Sequence, residues 1–202
     1  MDNSSANLKQ YLNMTKEDQI RQECWDKALH SLGTSYIFSL KASNFKMRIR
    51  LISVLGVIAP LLLGATAAAY GLDSKLTTLA LSVTAPIAIF QIVFSGISLN
   101  YKWDDQFAYA LESQTDNRII SEHFQHLGKY SASDINELEK QFEIWKAKDN
   151  ARAVQDDKIK FTDKENRKGM RYALWIRQKE CATCKTIPTS MTPTQCMTCG
   201  NF

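Results

Sequence analysis

Four of the five cysteines lie at or beyond residue 181, as Cys181-Ala-Thr-Cys184 and Cys196-Met-Thr-Cys199. Eleven residues separate the two pairs. Each Cys-x-x-Cys turn can aim two thiolates at one ion, and the spacer lets the pairs converge tetrahedrally. Cys181, Cys184, Cys196 and Cys199 therefore read as the ligands of one structural zinc ion per chain, in a small zinc ribbon. Gly200 follows the second pair, where such a knuckle often needs positive φ. Lys185 follows the first pair, a departure from the most regular knuckle. Pro188 and Pro193 keep the loop between them non-helical. Redox exchange is the alternative chemistry for these pairs, yet no strand–helix context of the thioredoxin type surrounds them. Four thiolates close the coordination sphere, so such an ion would support structure rather than catalysis.

Other reactive side chains offer less. Cys24 stands on an apolar helix face and reads as a small core residue. His123 and His126, three apart on a helix, could share a metal, but no carboxylate or cysteine pattern supports that. Arg167, Lys168, Arg171, Arg177, Lys179 and Lys185 make the C-terminal module basic, which can serve nucleic acid or phosphate binding. Asp163, Glu165 and Glu180 interleave with them, so nucleic acid is not the favoured partner. No phosphate-cradling glycine loop, nucleophile elbow or His-Glu-x-x-His is present, and the expectation is a protein that is not an enzyme.

The element that positions everything else is the stretch from Leu51 to Leu99, in which Asp73 and Lys75 are the only charged side chains. Residues 51–72 form an uncharged run of about 22 residues and 76–99 one of about 24, each long enough to cross a bilayer. Asp73-Ser74-Lys75 leaves room only for a tight reversal. The expectation is a transmembrane helical hairpin. Mean hydropathy over the whole chain is −0.27, a value that averages this hairpin with polar flanks and conceals it. Residues 1–22 are polar and contain no apolar run of the signal-peptide kind.

Formal net charge is +4. Lys41, Lys46, Arg48, Arg50 and Lys102 crowd the open end of the hairpin, against Lys75 alone at its closed end. By the positive-inside rule both termini should be cytoplasmic in a multi-pass protein of the cell inner membrane. Tyr101 and Trp103 suit the inner interface and Tyr70 the outer one. A cytoplasmic tail also favours metal binding over disulfides for its cysteines.

The two spans differ. Gly56, Pro60, Gly64 and Ala68 fall four apart in the first, a small-residue stripe suited to close helix packing. Pro60 also frees a backbone carbonyl. In the second, Thr77, Thr84, Gln91 and Ser98 recur every seven residues, with Ala88 and Ser95 on the same side. That polar stripe has two readings: interhelical hydrogen bonding, or the lining of a pore, which two spans can enclose only in an oligomer.

Outside the hairpin the pattern is helical. A loose N-terminus, 1–14, precedes an amphipathic cytoplasmic helix over 15–50, opened by Thr15 with Asp18 three residues on. Ile20, Cys24, Ala28, Leu32, Tyr36 and Leu40 step along it by fours, with an interruption expected near Gly33. Past Leu99 the second span should continue as helix to Gly128, through Trp103, Phe107, Ala110 and Phe124. Ser133 should cap a further helix bearing Ile135, Leu138, Phe142 and Trp145, so that 100–149 holds cytoplasmic helices. Lys146–Asp157 reads as a charged linker. Residues 150–202 make a basic helix, capped by Thr162 with Glu165, plus the zinc ribbon.

This order of parts resembles the SLATT superfamily, two-transmembrane effectors of nucleotide-signalling antiphage systems. The tail is similar to its mobile-element-associated branch with a CxxC-x11-CxxC signature. The fold so implied is an all-α membrane protein: a two-span hairpin, long cytoplasmic helices and a C-terminal zinc ribbon. The resemblance implies a bacterial defence effector that oligomerises and forms pores when a partner signals infection, and it carries over no catalytic residues. Expected partners are the lipid bilayer, further copies of the chain, and a cytoplasmic signalling partner or nucleotide ligand. A membrane-anchored scaffold and a tethered nucleic-acid sensor are the competing readings.

Overall fold

The computed structural model describes residues 15–129 and 134–202; Ser133, the expected cap, falls outside them. Five helices follow in order: α1 Lys16–Tyr70, α2 Lys75–Tyr101, α3 Trp103–Lys129, α4 Ile135–Asp156 and α5 Asp163–Arg177. The chain divides into two compact units, one comprising residues up to Ser39 with Leu111–Phe202, the other Leu40–Ala110. Two of the helices, α1 and α2, are long and apolar enough to cross a membrane.

In the first unit the N-terminal part of α1 packs with α3 and α4. Ile20, Cys24 and Ala28 meet Ile120, Phe124, Leu138 and Phe142 in one core. The seams between helices are polar and paired. Lys27 meets Asp149 at 2.6 Å, Lys146 meets Glu23 at 3.1 Å, and the Ser121 hydroxyl donates to the Ala28 carbonyl at 2.6 Å. Arg152, 5% exposed, joins α4 to α3: its guanidinium donates to Asp156 at 3.0 Å and to Glu112 and Asp116 at 2.9 Å each. Asn117 donates to the other Asp156 oxygen at 2.7 Å.

These pairs correct the expected linker. Lys146–Asp156 is helix because its charges are the polar face of α4, turned onto partners in α1 and α3. The cap of α4 is Asp134, whose carboxylate accepts from the Asn136 N–H at 3.1 Å.

No interruption occurs at Gly33, which lies inside the unbroken α1. A glycine there costs about 1 kcal/mol of helix propensity, and here it permits contact. A Cβ on Gly33 would stand 3.1 Å from the Gly169 carbonyl group, and one on Gly169 would stand 2.8 Å from the Gly33 oxygen. So α5 crosses α1 backbone to backbone. Tyr36 and Tyr172 stack beside the crossing, ring centroids 4.0 Å apart. The expected capping box of α5 is present: Thr162 Oγ1 accepts from the Glu165 N–H and Glu165 accepts from the Thr162 N–H.

In the second unit α1 runs to Tyr70, Gly71 takes φ +81°, and α2 begins at Lys75 after the Ser74 cap. The expected single helix through Leu99 to Gly128 is instead two. Lys102 adopts a left-handed conformation, φ 50°, and its N–H bonds back to the Leu99 and Ser98 carbonyls. Asp104 and Asp105 then fill the first turn of α3, where carboxylates suit the helix dipole.

Candidate metal centre and hairpin interior

The metal-type cluster begins at the C-terminal end of α5. Gln178 closes that helix in a left-handed conformation, and Cys181 follows three residues later. Leu174 of α5 packs with Cys181 and Cys199, flanked by Leu29 of α1 and Met170 of α5. Arg171 pins the second knuckle from within: its guanidinium donates to the Ser190 carbonyl at 2.7 Å and to the Cys199 carbonyl at 3.2 Å.

Two similar turns present the thiols. The Lys185 N–H donates to the Cys181 carbonyl and the Gly200 N–H to the Cys196 carbonyl, each at 2.9 Å. The hydroxyls of Thr183 and Thr198, at matching positions in the two turns, meet at 2.5 Å. Positive φ falls at Lys185 and at Asn201, and Gly200 does not carry it. Gly200 is needed for room instead, because a Cβ there would collide with the Thr194 hydroxyl and lie 2.5 Å from the Thr194 carbonyl oxygen. No strand is assigned among the described residues of this tail, so turns and the α5 packing hold it.

All four sulfurs lie within 4.8 Å of one another, and Cys181–Cys196 and Cys184–Cys199 are 3.8 Å apart. Thiolates held tetrahedrally about 2.3 Å from a central ion stand about 3.8 Å from each other. The donor set therefore fits a metal ion. The Thr186 hydroxyl, 3.1 Å from Cys184 Sγ, and the Thr186 backbone N–H lower that thiol to about 6. The Cys199 and Thr198 N–H groups lower Cys196. Burial raises Cys199, so without an ion the inner thiol stays protonated, and coordination would release protons.

Other sequence candidates are placed elsewhere. Cys24 is fully buried in the first unit's core, its thiol pushed up to about 12 by desolvation. His123 stacks on Trp145 with centroids 3.7 Å apart. The four-cysteine set is the one group of three or more metal-type ligands among the described residues. The basic patch is largely spent on the protein itself: Arg171 as above, Arg167 on the Asn201 carbonyl, Arg177 on Gln125 and Ser121, Lys179 over the Trp25 ring.

Inside the hairpin the two stripes fare differently. Thr77 and Thr84 are buried, with Gln91 and Ser98 half-buried on the same face of α2. Thr77 donates to the Gly71 carbonyl at 2.7 Å, and Thr84 to its own helix at Ala80, 2.9 Å. On α1, Gly56 and Ala59 face α2, whereas Gly64 and Ala68 are exposed and nothing lies within 4 Å of a Cβ on Gly64. A four-residue step rotates about 40° too far at 3.6 residues per turn, so the predicted small stripe winds off the contact face. A seven-residue step drifts only about 20° and stays on it. A groove of about 850 Å³ opens between the helices, lined by Gly56, Pro60, Thr84, Gln91 and Ser95 among others. The Gln91 amide nitrogen packs against Gly56. The Gly56 carbonyl loses its helical donor because Pro60, four residues on, has no N–H.

No curated protein and no solved structure matches the chain. A family model does, over residues 21–202, which reaches into every described helix and takes in both cysteine pairs. With the two knuckles and their eleven-residue spacer in place, the chain belongs to the family described as Mobilome CxxCx(11)CxxC protein.

Proposed function

We propose that this protein is a two-span effector of the bacterial inner membrane, of the SLATT type, that assembles through its hairpin and permeabilises the membrane in an antiphage response. The observation that carries the reading is the hairpin interior: a groove between two otherwise apolar helices, with Gln91 set against Gly56, whose carbonyl lacks its helical donor. An anchor needs no such amide, whose desolvation costs free energy unless a partner offsets it. Rotation of α2 in an oligomer would carry the whole stripe of Thr77, Thr84, Gln91 and Ser98, with Ser95 beside it, from the hairpin interior toward a shared axis. The open end of the hairpin faces the cytoplasm on the positive-inside rule. The four-cysteine module holds one zinc ion there, a role supported by its sulfur spacing. A signal received by the first unit would reach the hairpin through α1, which is continuous from Lys16 to Tyr70.

Dye-loaded liposomes carrying the purified protein test this. Leakage should appear in a ligand- or partner-bound state and disappear with Gln91→Leu. Intact liposomes in every state tested would sink the proposal.

A membrane-anchored scaffold is the second reading, favoured by the burial of Thr77 and Thr84 within the hairpin. It predicts that an unrelated two-span hairpin can replace residues 51–99 without loss of function, which the effector reading forbids.

A further inference from the structure

Eight arginines occur in the chain, and six of them donate hydrogen bonds to the protein: Arg21, Arg118, Arg152, Arg167, Arg171 and Arg177. Arg48 does not. Its guanidinium carbon lies 5.9 Å from the Phe45 ring centroid and 5.4 Å from that of Trp103. Trp103 is itself only 9% exposed, so it forms a fixed wall. Two aromatic faces thus hold the guanidinium while leaving its N–H donors unspent. Lys102, immediately before Trp103, is fixed by its left-handed cap conformation. Asp104 and Asp105 follow in the first turn of α3, and among the described residues neither forms an ion pair with Arg48. Lys46 and Arg50, two residues to either side, fall on the opposite face of α1 at 100° per residue.

We infer that Arg48, with Lys102 adjacent in sequence to the Trp103 that walls it, binds the phosphate of an anionic lipid headgroup at the open end of the hairpin. The planar fork of a guanidinium matches two phosphate oxygens, which an ammonium cannot do. The position fits, because Leu51 begins the uncharged run and aromatic side chains settle at headgroup depth. A zwitterionic headgroup neutralises its own phosphate, so the uncompensated cations select an anionic one, abundant in the cytoplasmic leaflet. The inference rests on the hairpin's being inserted in a membrane.

The full-length chain in detergent, given equal parts phosphatidylcholine and phosphatidylglycerol, would be analysed for retained lipid by native mass spectrometry. Phosphatidylglycerol should be retained preferentially, and Arg48→Gln should weaken retention about fivefold, the worth of about 1 kcal/mol per cation. Arg48→Lys should restore only part of it, and Lys46→Gln should cost less than Arg48→Gln. Equal retention by wild type and Arg48→Gln would overturn the inference. So would displacement of the lipid by inorganic phosphate at the lipid's own concentration, which would make this a free-anion site. Release of the protein from cell membranes by alkaline carbonate would refute insertion itself, a failure distinct from loss of headgroup preference in a protein that stays embedded.

Discussion

The two units of this chain use opposite rules for the same side chains. Of the 28 large hydrophobic residues that are exposed among the described ones, 20 lie within Leu40–Ala110. The first unit buries its apolar residues and spends its charges on neighbours; the second turns Leu, Ile and Val outward and keeps Thr77, Thr84 and Ala59 inside. Water accounts for the first arrangement. The second suits an apolar solvent, since in water the hydrophobic effect would penalise each exposed side chain by about 1.5–3 kcal/mol. Burial is legible only once the solvent is named.

Substitutions can break or sharpen that contrast, and the largest effect should come from the metal centre. Cys199→Ser should reduce bound zinc from about one per chain to near zero and unfold the tail, while the helices of residues 40–110 stay intact to limited proteolysis. Metal analysis of anaerobically prepared protein is the check, and near-zero zinc in the wild type would refute the site. Arg152→Ala comes next. It leaves Asp156, Glu112 and Asp116 without their shared cation and should cost about 3–5 kcal/mol in denaturant unfolding, because Arg152 and Asp156 are both buried.

Glycines offer a paired test of the two units. Gly169→Val must displace the Gly33 backbone or the Ile37 side chain, a strain of about 1–3 kcal/mol, read as a lowered Tm. Gly64→Ala meets open space and should leave Tm unchanged or raise it by the helix-propensity gain of about 1 kcal/mol. The smallest signal concerns Cys24. With its thiol raised to about 12, a fraction of about 10⁻⁴ is thiolate at pH 8, so the folded protein should not be alkylated there. Raising the pH toward 12 increases the thiolate fraction, and labelling should accelerate with it.

Much of this was legible in the sequence where a strong local rule applied. The two Cys-x-x-Cys turns, the Thr162–Glu165 box and the two uncharged runs are short-range patterns, and each found its structural counterpart. What escaped depended on contacts distant in sequence. Gly33 looks like a helix break until Gly169 is brought against it. Residues 146–157 look like a solvated linker until Glu23, Lys27 and Asp116 arrive to pair them. Arg171 looks like part of a basic surface until its donors are spent on Ser190 and Cys199 carbonyls. The break at Lys102 does have a local signal, since Asp104 and Asp105 suit a new helix start, but the apolar spacing on either side runs through it and hides it. The small-residue stripe in α1 meets α2 only in part, at Gly56, since a step of four leaves that contact face within three repeats.

Topology tests the central contrast most directly. With Asp73→Cys in the hairpin turn, a membrane-impermeant maleimide should label the turn in intact cells, while the C-terminal cysteines react only after lysis and metal removal. Labelling of the introduced thiol only in broken cells would contradict the account, because the turn would then not lie across the membrane from the metal centre.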